Sequence, residues 1–125
     1  MVKLADKQKI VQTIGTANEA ITKLQETVNS YEALGKTPPK EDRQLLDSIH
    51  RAITNLKQNP FAGQVVAHKL WPKEYKDLPN LFRMELSQFW RLLYYVAGDE
   101  IRIISVIFEI VDHPTYDKIF GYTGK

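Results

Sequence analysis

The run Asp112, His113, Pro114, Thr115, Tyr116, Asp117, Lys118 sets an imidazole and a phenol three residues apart at the exit of a strongly apolar stretch. An imidazole titrates near neutrality and suits proton transfer, while a phenol can hydrogen-bond or stack. Just beyond the edge of a sheet, such a pair is positioned for proton transfer or RNA contact. A plainer reading stands beside this one: a His before Pro is an ordinary turn residue, and Tyr116 with Ile119, Phe120 and Tyr122 pins the end of the chain to a core. Other chemistries find little footing. Three scattered histidines and no cysteine argue against a zinc site and rule out a disulfide framework, so no metal and no cofactor is expected. His50 reads as a surface residue of a helix and His68 as a strand-surface residue. Ser87 and Ser105 lack a nucleophile-elbow context, and the glycines form no phosphate loop.

The elements that must position these groups follow from periodicity. Ile10, Ile14, Ala17, Ile21, Leu24, Val28 and Tyr31 recur at spacings of four and three, which predicts one long helix with a single apolar stripe. Gly35 is its expected stop. Thr37 as cap, Pro38 in the first turn and the acids Glu41 and Asp42 predict a second helix, with a stripe of Leu45, Ile49, Ala52 and Leu56 and an end at Asn59 and Pro60. The short link predicts an antiparallel helical hairpin over residues 1–58. From residue 62 the period changes. Val65, Val66, Ala67 and Leu70 suggest a short strand, and residues 81–86 alternate apolar and charged side chains. Residues 89–96 and 101–107 are rich in aromatic and β-branched residues and flank Ala97, Gly98, Asp99 and Glu100, a hairpin turn signal. Residues 116–122 form a short terminal helix or stay irregular.

With 125 residues the chain fits one domain, 1–125. Met1 to Lys9 is a poor strand candidate and carries charge where a signal peptide needs an apolar core; no apolar run approaches the ~18 residues of a membrane span. A soluble, cytoplasmic protein with no membrane partner is the expectation. The net charge of +2 resides in residues 1–60, with nine basic against seven acidic residues; residues 61–125 carry eight of each. Net charge alone does not mark a nucleic-acid binder. A local basic cluster remains in Lys69, Lys73, Lys76, Arg83 and Arg91.

The ordered series Asn59-Pro60, His68-Lys69-Leu70, the Arg-bearing strand 81–86, Trp90-Arg91-Leu92-Leu93-Tyr94-Tyr95, Ile103-Ile104-Ser105-Val106-Ile107 and His113-Pro114-Thr115-Tyr116 resembles the RelE/ParE toxin superfamily over roughly residues 45 to 122. The resemblance implies an α+β fold, an N-terminal antiparallel helical hairpin packed on a small, mainly antiparallel sheet of three to four strands. Family members usually open with a strand before the hairpin, and none is legible here. It also implies a type II toxin that cuts ribosome-bound messenger RNA and is silenced by a cognate antitoxin. Such an enzyme drives a ribose 2′-hydroxyl onto the adjacent phosphate, which needs proton transfer and cations for the phosphorane charge. On these residues the implied roles are proton transfer for His113, and RNA orientation, stacking or proton assistance for Tyr116. Arg83 and Arg91 would neutralise phosphate, with Lys69 and Lys73 as further cations. Glu109 or Asp112 would act as base or orient His113.

Structural roles compete at each position. Arg91 alternates with Leu92 and serves equally well as an ion-paired sheet surface, while Lys69 and Lys73 fit an ordinary solvated edge. The neutral second half, with Glu109, Asp112 and Asp117 around His113, fits a ribosomal RNA surface poorly. Two non-catalytic alternatives therefore stand: contact with a protein target, as in relatives that bind a DNA topoisomerase, and use of the long helix as an interface with an antitoxin or with a second copy in a homodimer.

Overall fold

Gln8 to Thr13, with Ile10 and Val11 at their centre, form a strand rather than the first turns of a helix. In this computed structural model, which describes residue 3 and residues 6–121, that strand, β1 (Gln8–Thr13), runs parallel to β5 (Arg102–Val111) in the register Gln8↔Arg102 to Thr13↔Ile107. Gly15 follows with φ +54, a left-handed conformation that glycine adopts freely and that separates strand from helix. The first helix, α1 (Gly15–Ala33), therefore starts later than its stripe suggests. Ala17, Ile21, Leu24 and Val28 still face the core, whereas Ile10 lies in β1 and Ile14 is exposed. Gly35 ends α1 as expected, with φ +68, its N–H bonded to the Glu32 carbonyl and that of Lys36 to Tyr31, which is a Schellman closure.

The second helix, α2 (Lys40–Gln58), has Pro39 rather than Thr37 at its N-cap position, with no side-chain cap, and Glu41 and Asp42 occupy its first turn. Leu45, Ile49, Ala52 and Leu56 are all buried. A two-residue strand, β2 (Gln64–Val65), precedes β3 (Phe82–Glu85). The expected strand does not extend beyond Val65, because His68–Leu70 and Lys73–Tyr75 wind into short 3₁₀ turns. Next come β4 (Arg91–Gly98) and β5, joined by the anticipated turn. Asp99 organises it by accepting the N–H groups of Ile101 and Arg102 and pairing with the Arg102 guanidinium at 3.0 Å. The terminal segment is helical over His113–Ile119, α3; Tyr122 lies outside the described residues.

The strand order is β1-β5-β4-β3-β2. This corrects the expected sheet: the chain is α+β, but the sheet has five strands and is mixed, because β1 adds parallel to β5 while the other pairs are antiparallel. β5 is the longest strand and would otherwise present its unpaired edge, which an N-terminal strand covers. Side chains alternate across the sheet. One face packs Phe82, Leu92, Tyr94, Ile103, Ile107 and Ile110 against α1 and α2. The other packs Leu93 and Val111 against Val66, Trp71 and Leu81 of the connecting segment and Tyr116 and Phe120 of the terminal region. Among the described residues no helix is long and apolar enough to cross a membrane.

Candidate functional site

Phe82 and Leu92 point to the helical hairpin, so their neighbours Arg83 and Arg91 emerge on the opposite face, on adjacent strands. The register places Arg83 across from Leu93 and Glu85 across from Arg91. α3 lies over this face and brings Tyr116 between the two arginines. Arg83 Nη1 donates to the Tyr116 hydroxyl at 2.8 Å, and the Arg91 guanidinium carbon sits 4.3 Å from the centre of the Tyr116 ring. Each arginine has a further partner: Arg83 Nε donates to Gln64 Oε1 at 2.9 Å, and Arg91 Nε pairs with Glu85 Oε2 at 3.1 Å. Tyr116 is 1% exposed and Phe120 packs on it at 4.5 Å between ring centres, so its ring offers no open face.

His113 opens α3 three residues before Tyr116, a spacing that sets both on one side of a helix. Its side chain is 49% exposed, and Nδ1 faces Asp117 Oδ1 at 3.5 Å. Asp117 is one helical turn on and was read from the sequence only as an opposing charge; its i,i+4 spacing was the available signal. The other carboxylates are engaged elsewhere. Asp112 caps α3 by accepting the Thr115 N–H at 2.9 Å, and hydrogen bonds from the Thr115 side chain and then its backbone hold this carboxyl below its ordinary range. Glu109 accepts from the Thr16 hydroxyl at 2.9 Å. Burial, then the charges of Glu109 and Glu74, push the Tyr75 phenol up to about 12.

Lys69 and Lys73 stand exposed on the two 3₁₀ turns of the segment that covers this face. Among the described residues neither makes an ion pair. His68 packs on Trp71 at 4.6 Å between ring centres, and His50 is exposed on α2.

Phe89, expected at the start of a strand, lies outside it, since β4 begins only at Arg91. It sits in the turn between β3 and β4, 74% exposed, with its ring centre 6.4 Å from that of His113. Gln88 and Phe89 both adopt positive φ, 58° and 65°. Nothing in Ser-Gln-Phe announces such a backbone, which glycine or asparagine normally provides. Among the described residues no group of three or more His, Asp or Glu is placed to hold a metal ion. Against models of protein families, curated proteins and solved structures, the chain finds no match.

Proposed function

We propose that this chain is a RelE-like toxin of a type II toxin-antitoxin system, a cytoplasmic endoribonuclease that cuts messenger RNA on the ribosome without a metal. The observation that carries the reading is the convergence of Arg83 and Arg91, from neighbouring strands, on Tyr116, three residues along α3 from a half-exposed His113. The opening strand β1, which the family pattern calls for and the sequence hides, adds support. In this reading the 2′-hydroxyl gives its proton to His113, held by Asp117 at Nδ1, and its oxygen attacks the adjacent phosphorus. The bond from phosphorus to the 5′-oxygen breaks, leaving a 2′,3′-cyclic phosphate, and the departing oxygen takes up a proton. Arg83 and Arg91 neutralise the charge gathering on the phosphorane. Tyr116, closed to RNA stacking by its burial, is a positioning residue that orients both guanidinium groups.

The test is a translation extract in which messenger RNA ends are mapped by primer extension. New ends that require translation and disappear with His113→Ala establish the reading; their absence with folded wild-type protein overturns it. A second reading, contact with a protein partner and no catalysis, is favoured by the balanced charge of residues 61–125. An apolar groove of about 300 Å³ between α1 and α2, lined by Leu24, Leu45, Ile49 and Trp90, suits a helix of an antitoxin under either reading.

A further inference from the structure

The turn between β3 and β4 holds an unfavourable backbone in place by several independent contacts. Consecutive non-glycine residues with positive φ are rare and persist only where the surroundings over-determine them. Here Ser87 N–H donates to Ser48 Oγ of α2 at 3.2 Å, and Gln88 Nε2 donates to the Glu41 carbonyl at 3.2 Å and to Gln44 Oε1 at 3.1 Å. Leu86 N–H closes the turn on the Trp90 carbonyl at 2.8 Å. This frame turns the Phe89 ring outward into solvent, the reverse of what burial of apolar surface favours. His113, half exposed, lies beside it at 6.4 Å between ring centres, and Arg91 follows two residues on at the start of β4, with its guanidinium over the Tyr116 ring. A ring held in solvent next to the imidazole proposed for proton transfer, at the head of the strand that carries Arg91, matches the combination that binds single-stranded RNA, a ring for the base and a cation for the phosphate.

We infer that Phe89 is a stacking platform for a nucleobase of single-stranded RNA beside His113, held open by the strained Gln88–Phe89 turn. The inference rests on the ribonuclease reading and adds a specificity-determining residue to it. The base beside the scissile phosphate lies on the ring, which sets where along the message the cut falls.

The experiment compares wild type with Phe89→Leu, Phe89→Trp and Phe89→Gly in the translation extract, with cleavage ends quantified by primer extension and Tm measured on each protein. Phe89→Leu keeps an apolar side chain but loses the ring, and it should cut roughly 5- to 150-fold more slowly, the range set by one base stack, with an altered base preference at the cut. Phe89→Trp should retain cutting. Phe89→Gly relieves the backbone and should cut as poorly as Phe89→Leu while its Tm rises by a few degrees, on the order of 4 °C. A rise in stability with a loss of cutting distinguishes a platform from a packing residue. If wild type cuts and Phe89→Leu cuts at the same rate with the same base preference, the ring serves another macromolecule or none, and this inference fails alone. If wild type makes no new ends, it fails together with the ribonuclease reading.

Discussion

Under the proposed ribonuclease reading, Arg83 and Arg91 would serve a phosphate only as well as their guanidinium planes are held, and Tyr116 is the group they share. The hydroxyl accepts from Arg83 and the ring lies under Arg91, whose side chain is 17% exposed. Tyr116→Phe separates these functions, because the ring stays and only the acceptor goes. A hydrogen bond to a charged group contributes ~1.5–3 kcal/mol. The variant is therefore expected to lower kcat roughly 10- to 100-fold with KM little changed, where a purely structural role would lower Tm and leave kcat of the folded fraction intact. Steady-state cleavage of a reporter message on programmed ribosomes, alongside a thermal melt, decides between them. Arg91→Lys should be nearly as damaging, since an ammonium neither stacks on the ring nor forks a phosphate.

At the scale of elements, the placement of His113 depends on where α3 begins, and Asp112 sets that point by accepting the Thr115 N–H. Removing an N-cap carboxylate costs ~0.5–2 kcal/mol, so Asp112→Ala should fray α3 and slow cleavage, whereas Asp112→Asn keeps an acceptor and should approach wild type. The sign of the pH dependence follows from the depressed Asp112 carboxyl: the cap is fully present above the ordinary Asp value near 3.9 and is lost as pH falls through the lower folded value. Protection factors of the α3 amides, taken against the intrinsic exchange rate at each pH, should fall under acid in wild type and be low at all pH values in Asp112→Ala. Protection unchanged in Asp112→Ala would show that packing of Tyr116 and Phe120, not the cap, holds the helix.

For the whole molecule, β4 couples the two sides of the sheet through consecutive residues. Leu92 belongs to the core shared with α1 and α2, Leu93 to the core shared with α3, and both are fully buried. Tyr94 extends the link: its hydroxyl donates to the Pro60 carbonyl at 2.8 Å and accepts from Gly63 N–H at 3.0 Å, at a spot where a Cβ on Gly63 would lie 2.7 Å from the Arg83 carbonyl. Leu92→Ala and Leu93→Ala should each cost ~2–5 kcal/mol. Urea transitions followed by far-UV and near-UV dichroism should still coincide in both variants, because neither core can open without β4. Separate transitions for the two probes would contradict this coupling.

Short-range chemistry was legible in the sequence where one residue type met one local requirement. The apolar stripe of α2, the glycine closure of α1 and the Asp99 turn between β4 and β5 all depend on neighbours within a few positions. What remained hidden depended on distant partners. Ile10 fits a helical stripe as well as a strand, and the edge of β5, some 90 residues on, together with the Gly15 break, put it in β1. The strained turn at Gln88 and Phe89 is likewise held by Ser48, Glu41 and Gln44 of α2. Residue types and local spacing determined the groups available for chemistry and most of the elements that carry them. Which groups meet, and which ring is left facing solvent, was decided by tertiary contacts, because hydrogen bonds and packing between residues far apart in the chain outweigh the ~1 kcal/mol preferences that local sequence expresses.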